Sequence, residues 1–303
     1  MKPLSKEIVS YLEDQAFEIR RLSVEMIAYG QWGHIGGSFS MAEILAVLYF
    51  HHMTIDPRNP KAENRDRLVL SKAHGSPALY AALALRGFYP VEQIYQYCEP
   101  EGLEGHTNPH GAPGVETAGG PLGMGLSVAV GMALGLRRKE NPRSRVFCIL
   151  GDGELNEGNV WEAAMSASHY RLDNLIAVVD YNKVQAKGFV WEEMGIEPVA
   201  EKWKSFGWKV IETDGHDVEA LAETFYRARW IEPSGSPICV IAHTVKGMGV
   251  ERAEFNYKWH THAPDPKTAD EMIRELAKRY GKPEIGYSRV NEPVKKETFY
   301  GGE

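Results

Sequence analysis

Two polar clusters in the sequence have the residue types and the spacing of a site for a hydrated metal ion. Gly151-Asp152-Gly153 follows the apolar run 146–150, and Asn182 lies thirty positions after Asp152. The Asp152 carboxylate and the Asn182 side-chain carbonyl are hard oxygen ligands that suit Mg²⁺ or Ca²⁺. Two protein ligands leave most of an octahedron open for water and phosphate oxygens. The pattern therefore predicts a divalent cation held between the protein and a phosphorylated ligand.

The residues around Asp152 also suit an anion. Gly153 has no side chain, so a phosphate can approach the backbone closely there. The helix predicted to follow offers free N–H groups and a positive dipole end to the anion. An isolated Gly-Asp-Gly is usually a tight turn after a strand. The second cluster, at the end of the next predicted strand, favours the binding site over the plain turn.

The elements that must position these clusters alternate along the chain. Five short segments read as strands, and amphipathic helices separate them; the strands are Arg67–Leu70, 146–150, 175–179, 209–212 and 238–242. A helix over 40–50 is predicted to begin with a capping box, Ser40 to Glu43. Alternating buried strands and helices predict an α/β fold with one parallel sheet and helices on both faces. Such sheets bind ligands beyond the carboxyl ends of their strands, where both clusters lie.

Composition excludes several classes of protein. The chain has 303 residues, a formal net charge of −7 and 43% hydrophobic residues, which indicates a folded protein and argues against nucleic acid as a partner. It contains no apolar run long enough to span a membrane, and its first residues do not resemble a signal peptide. The three cysteines, Cys98, Cys148 and Cys239, are far apart, as is typical of buried thiols in a reducing compartment. We therefore expect a cytoplasmic protein with no membrane partner.

Several motifs, in order along the chain, resemble those of transketolase, in its N-terminal section. The segment from Gly151 to Lys183 is similar to the thiamine diphosphate motif, which begins Gly-Asp-Gly and ends at an asparagine. The resemblance covers nearly the whole chain. The other matching motifs are Gly33-His34-Ile35-Gly36-Gly37-Ser38, Leu70-Ser71-Lys72-Ala73-His74-Gly75, Glu104-Gly105-His106, Gly120-Pro121-Leu122-Gly123-Met124-Gly125 and Trp259-His260.

The resemblance implies a cofactor, thiamine diphosphate, and a divalent cation, Mg²⁺, for which Ca²⁺ or Mn²⁺ can substitute. The implied metal ligands are the side chains of Asp152 and Asn182 and the backbone carbonyl of Val184. The residues implied to contact the cofactor are His74, Gly120, Pro121, Leu122, Gly151, Asp152, Gly153, Glu154, Asn182, Lys246 and His260. Within this set the diphosphate falls to Gly153, His74 and His260, and the aminopyrimidine ring to the backbone of 120–122.

Histidines carry the implied catalysis. His34, His74 and His106 each stand beside a glycine and are expected to line the substrate channel, where imidazoles can orient hydroxyl groups and move protons. His260 joins them on the cofactor side, and Glu157 is expected at the subunit interface, where it would communicate with a symmetry-related site. The remaining six histidines, read as surface or satisfied core groups, are His51, His52, His110, His169, His216 and His243.

Two assignments in the last motifs stay open. The family has Gly-Ala-Pro soon after its histidine, but here Thr261 and His262 intervene before Ala263. His262 is therefore an alternative to His260 on the diphosphate side. Lys246 stands where the family often has an apolar residue covering the cofactor, and a solvated loop lysine is the simpler interpretation of it.

The resemblance also implies a partner. In transketolases the glutamate that activates the cofactor lies in a following pyrimidine-binding domain, and this chain ends before such a domain. We expect a diphosphate-binding domain over 1–285, a C-terminal tail or arm over 286–303, and no catalysis by the chain alone. A separate subunit carrying the C-terminal section of transketolase would complete the site, most simply in an α₂β₂ heterotetramer.

The implied reaction is transfer of a two-carbon ketol unit from a ketose to an aldose. The sugars stay open among pentose phosphates, branched sugars and sulfonated sugars. The α-subunit of a 2-oxo acid dehydrogenase is the nearest alternative, since it also uses a split chain with this motif. A 1-deoxyxylulose-5-phosphate synthase and a non-catalytic scaffold are weaker alternatives. A nicotinamide dehydrogenase is disfavoured because no G-x-G-x-x-G follows the first predicted strand.

Overall fold

A five-stranded, fully parallel sheet forms the centre of the molecule, in strand order β1-β2-β3-β5-β4. The computed structural model describes residues 3–139, 143–232 and 235–292. The predicted α/β class is confirmed, and each predicted strand is present with slightly longer bounds or the same ones. The strands are β1 Arg67–Leu70, β2 Val146–Gly151, β3 Leu175–Tyr181, β4 Lys209–Asp214 and β5 Ile238–His243.

Helices cover both faces of this sheet because alternate strand residues point to opposite sides. On β2, Phe147 and Ile149 pack towards α1, α3, α4 and α9, whereas Val146, Cys148 and Leu150 pack towards α5, α6 and α8. The helices are α1 Lys6–Gly30, α2 Ile35–Phe39, α3 Ala42–Val47, α4 Ser76–Arg86, α5 Gly125–Arg138, α6 Gly158–His169, α7 Val190–Glu193, α8 Val199–Ser205, α9 Val218–Tyr226 and α10 Pro266–Arg279.

The capping box predicted at Ser40 is wrong. Helix α3 begins at Ala42, and its N-cap residue, Met41, makes no side-chain cap. The Ser40 hydroxyl instead donates to Asp180 Oδ2 at 2.6 Å. The Glu43 carboxylate is paired with the guanidinium of Arg20, with Nη2 and Oε2 2.6 Å apart. Both polar groups are buried, so distant charged partners outcompete the local cap.

The C-terminal helix α10 was not predicted from the sequence, although its start carries a signal. Asp265 caps it by accepting hydrogen bonds from the N–H groups of Lys267 and Thr268, and Pro266 occupies the first turn. The chain after α10 is packed at Tyr287, which is 5% exposed and whose N–H donates to Asp270 Oδ1 at 2.9 Å. Residues 293–303, most of the predicted arm, lie outside the described residues. In the part of the chain that is described, no helix has the length and apolar character needed to cross a membrane.

His52 is an acid-sensitive point in this core. Its ring centroid lies 5.8 Å from that of Phe147 and 5.7 Å from that of Phe225, and its Nε2 is buried with no partner among the described residues. Burial, together with the nearby charge of Arg229, lowers the pKa of His52 to about 3. Since the unfolded histidine titrates near pH 6.5, the unfolded state binds the extra proton, and folding stability falls as the pH drops from there towards 3.

We therefore expect the variant His52→Phe to lose less stability in acid than the wild type. The difference between the two in free energy of unfolding should change by about 2 kcal/mol between about pH 7.5 and about pH 5. Urea unfolding at the two pH values measures it. An equal acid loss in both proteins would show that His52 does not carry a depressed pKa.

Candidate functional site

The two predicted polar clusters lie at the same edge of the sheet. Gly151 and Asp180 are direct neighbours at the carboxyl ends of β2 and β3. Asp152, 2% exposed, accepts hydrogen bonds from the N–H of Gly153 at 2.7 Å and from the N–H of Lys183. Asn182 Oδ1 accepts from the N–H of Val184 at 3.2 Å. Parallel pairing thus brings a carboxylate and an amide oxygen to one place, as the sheet topology requires.

A cleft of about 570 Å³ opens at this edge. Ten residues that the sequence singled out line it, and they are His74, Leu122, Gly151, Asp152, Gly153, Glu154, Asn182, Val184, Lys246 and His260. Four lining residues were not singled out: Gly37, Lys72, Gln185 and Ala186. The cleft joins the segments that follow β1, β2, β3 and β5.

The carboxylate of Asp180 is the polar hub beneath the cleft. It is fully buried and accepts hydrogen bonds from Lys72 Nζ, from the hydroxyls of Ser40 and Thr244, and from Asn182 Nδ2 at 3.1 Å. Burial alone would raise the pKa of Asp180, but the Lys72 ammonium and these donors hold it below its usual value. The hub fixes Asn182 and Lys72 at the floor of the cleft.

Lys246 is not a solvated loop lysine, so the simpler interpretation of it was wrong. Its side chain is buried, and Nζ donates to the carbonyls of Val184 at 2.8 Å and Gln185 at 3.1 Å. His260 Nδ1 lies 2.9 Å from the same Nζ. Burial and the charge of Lys72 lower the pKa of Lys246 to about 7. The ammonium therefore contacts the carbonyl that the family resemblance assigns to the metal.

Four histidines meet at the cleft. The ring centroid of His34 lies 5.2 Å from those of His74 and His260, and 6.1 Å from that of His106. Burial, helped by His106 and Lys246, lowers the pKa of His34 to about 3, and burial with Lys246 lowers that of His260 to about 2. Burial also depresses the pKa of His74 and of His106. At neutral pH each ring is thus neutral and offers one donor and one acceptor.

The donor set of the cleft fits a divalent cation with a diphosphate. Asp152 and Asn182 supply oxygen atoms, and Lys72 and Lys246 supply positive charge. Burial and the neighbouring Asp180 raise the pKa of Asp152 to about 7, as expected for a buried carboxylate whose charge a bound cation would balance. The Nε2 of Gln185 is buried with no partner in the described chain. These groups are satisfied when an ion and its anion are bound.

The glycine motifs keep the cleft walls free of side chains. A Cβ on Gly37 would lie 3.2 Å from the His74 ring, and a Cβ on Gly153 would lie 2.8 Å from Gln185 Cγ. Any larger residue at either position would push its neighbour into the space of the ligand.

Comparison with known protein families identifies this arrangement. Residues 13–296 match the family described as "Transketolase, thiamine diphosphate binding domain". The chain belongs to this transketolase family. It is an N-terminal section of transketolase, as the sequence motifs predicted.

Curated relatives of transketolase type align over most of the chain. A protein of Clostridium sp. (strain MSTE9) named 6-deoxy-6-sulfo-D-fructose transketolase subunit SqwG is 42% identical, over 88% of this chain and 96% of its own length. An apulose-4-phosphate transketolase subunit from Phocaeicola vulgatus is 38% identical, over 90% and 96%. The crystal structure of transketolase from Campylobacter jejuni superposes with a TM-score of 0.83 at 32% identity, covering 94% of this chain and 44% of that one. The chain therefore spans less than half of that transketolase.

The transketolase motifs place the other predicted residues at different distances from the cleft. His106 contacts the cluster through His34 and through Trp32, whose ring centroid is 5.3 Å away. Gly120 and Pro121 lie on the rim, in the loop that leads to the cleft residue Leu122. Glu157 is exposed at the N-cap of α6, away from the lining residues.

Glu154 and His262 have roles that the sequence left unresolved. The Glu154 carboxylate ties the cleft walls together, since it accepts from the N–H groups of Gly123 at 2.8 Å and Gly151 at 3.0 Å and from the Ser71 hydroxyl. His260 lines the cleft, whereas His262 is exposed and packs edge-on against Trp259, with ring centroids 4.8 Å apart. The extra residue after His260 thus extends the surface loop.

Two cleft residues escaped the sequence reasoning although their motifs were recognised. Lys72 stands two positions after β1, beside His74, and its position at a strand end is a usable signal. Gln185 directly follows the predicted metal ligand Val184. Nothing in the local sequence indicates that either side chain turns into the cleft.

Proposed function

We propose that this chain is the cofactor- and Mg²⁺-binding subunit of a two-subunit transketolase, which transfers a two-carbon ketol unit from a ketose to an aldose. The observation that carries the proposal is the convergence of Asp152, Asn182 and four neutral histidines on one cleft of the transketolase family fold. The names of the split relatives, which are subunits, support it.

In this proposal Asp152, Asn182 and the carbonyl of Val184 hold the Mg²⁺. Lys246 shares that carbonyl in the structure, so metal binding requires its ammonium to shift towards the diphosphate. His74, His260 and the backbone at Gly151 and Gly153 contact the diphosphate, and the backbone of 120–122 contacts the aminopyrimidine ring. When bound, thiamine diphosphate supplies the electron sink for breaking the carbon–carbon bond beside the ketose carbonyl.

His34, His74 and His106 handle the sugar in this proposal. As neutral imidazoles they can each donate to one hydroxyl or carbonyl oxygen and accept from another. His34 is suited to this because its Nδ1 is buried and has no partner among the described residues. The low pKa values keep these rings available as both donors and acceptors across the neutral range.

The partner would be a separately encoded subunit with the C-terminal section of transketolase, including the pyrimidine-binding domain. We propose an α₂β₂ heterotetramer in which the exposed Glu157 lies at a subunit interface. The cofactor domain would span 1–285, with 286–303 as an arm. The three cysteines are buried and unpaired, which fits a cytoplasmic location.

Reconstitution tests the function. The purified chain, alone and with the transketolase C-terminal subunit encoded beside it, is assayed for ketol transfer with thiamine diphosphate and Mg²⁺. We expect turnover only with both subunits, and its loss when a chelator removes the metal. The donors should include pentose phosphates, 6-deoxy-6-sulfo-D-fructose and apulose-4-phosphate, since relatives are named for the last two. Robust turnover by the chain alone would refute the partner requirement. Acyl transfer to lipoamide instead of ketol transfer would favour the 2-oxo acid dehydrogenase alternative.

A further inference from the structure

The segment 244–249, here called the lysine loop, leaves β5 and carries Lys246 into the cleft. Three contacts hold it. The Thr244 hydroxyl donates to Asp180, and the N–H of Gly247 donates to the carbonyl of Gly36 at 3.1 Å. Between these two, the N–H of Val245 donates to Nε2 of His216 at 2.8 Å. The contact next to the cleft lysine therefore comes from a histidine on a different strand end.

A tight turn after β4 aims His216 at the lysine loop. Asp214 Oδ1 accepts from the N–H of His216 at 2.8 Å, and the N–H of Gly215 donates to the carbonyl of His243 at 2.8 Å. A Cβ on Gly215 would clash with the side chain of Thr244. Only glycine lets the turn approach β5 this closely, and that approach brings the imidazole within reach of Val245.

The hydrogen bonds also define the tautomer of His216. An amide N–H can only donate, so Nε2 of the ring must accept from Val245 and Nδ1 must carry the proton. Nδ1 lies 2.9 Å from Glu43 Oε2 and donates to it. Glu43 is held in turn by the fully buried Arg20, whose Nη1 and Nη2 each lie 2.6 Å from one carboxylate oxygen. The ring is thus fixed on both sides, from the helix core to the loop.

We propose that His216 is a positioning residue, which holds the lysine loop so that Lys246 faces the diphosphate side of the cleft. The part that concerns the cofactor rests on the proposed function. The stem of Lys246 has little other freedom, since a Cβ on Gly36 would lie 2.9 Å from its Cγ. Fixing the amide of Val245 therefore fixes where the adjacent Lys246 side chain enters the cleft. Without this bond the loop can swing out and take the ammonium with it.

A pair of amide variants separates this role from general packing. The amide of His216→Gln reaches about as far as Nε2 and keeps an acceptor for Val245, whereas the shorter His216→Asn reaches only Glu43. Hydrogen exchange of the Val245 amide in the full chain reads the loop directly. Calorimetry with thiamine diphosphate and Mg²⁺, on the complex with the partner subunit, reads the consequence.

For His216→Asn we expect Val245 exchange at least about tenfold faster and cofactor affinity about fivefold weaker, because one hydrogen bond is lost. His216→Gln should stay within about twofold of the wild type in both. His243→Asn is the matched control, since His243 ends the neighbouring strand and pairs at the surface with Glu212 at 2.8 Å. It should change neither reading.

Two results would overturn the inference. One is wild-type exchange and affinity in His216→Asn. The other is equal weakening by the two amide variants, which would indicate packing rather than the Val245 bond. A wild-type complex that does not bind thiamine diphosphate would refute the proposed function instead, and the exchange measurement would still decide whether His216 holds the loop.

Discussion

Replacing Asp152 by asparagine is expected to abolish Mg²⁺-dependent binding of thiamine diphosphate. The substitution keeps the shape of the side chain and removes the one carboxylate that the cleft offers beside Asn182 and the carbonyl of Val184. Loss of a residue that merely supports a metal ligand costs about 10–100-fold in affinity, so loss of a charged ligand should cost more than about 100-fold. Calorimetry on the complex of the two subunits, with and without Mg²⁺, measures it.

The same variant is expected to fold as well as the wild type. Burial and Asp180 already disfavour the charged form of Asp152 in the metal-free protein, as its pKa of about 7 records. A neutral side chain there removes a repulsion while still accepting one backbone hydrogen bond. The thermal midpoint of the metal-free chain should therefore stay within a few degrees of the wild type. Glu223→Gln, on the exposed face of α9, is the control. Unchanged cofactor affinity in Asp152→Asn would remove this residue from the metal site.

Replacing Lys72 by methionine is expected to cost about 3–5 kcal/mol of folding free energy. The ion pair of Lys72 with Asp180 is almost completely buried, with side chains 1% and 0% exposed. Methionine fills the space of the lysine stem but leaves the Asp180 carboxylate without its cation. Such an uncompensated buried charge is far more costly than the pair is favourable. Urea unfolding of the wild type and the variant measures the loss.

A double variant tests that explanation. Lys72→Met combined with Asp180→Asn removes both charges, so most of the stability should return, because no buried charge is left unpaired. The surface pair Lys139–Glu63, 2.8 Å apart with side chains 63% and 78% exposed, is the matched control. Lys139→Met should cost no more than about 1 kcal/mol. A loss that small in Lys72→Met, or no recovery in the double variant, would contradict the assigned role of the hub.

Sequence alone determined the sheet and the ends of its strands. Apolar runs broken by Gly151-Asp152-Gly153 and by 180–182 predicted two parallel strands, and parallel pairing forces their carboxyl ends to one edge. Asp152 and Asn182 could therefore be brought together from local pattern and topology without any side-chain coordinates. The helix α10 was missed because its cap at Asp265 follows a loop in which no apolar period leads up to it.

Only the tertiary structure decided which polar groups are buried and what they meet. Lys72 and Ser40 reach Asp180 across 108 and 140 positions of sequence, and His216 reaches Glu43 across 173. Local periodicity reports which face of an element is apolar, but it carries no information about which distant charge will sit opposite a polar side chain. That choice follows from how the helices and loops pack over the sheet, because a buried polar group must take whatever partner the packing leaves within reach.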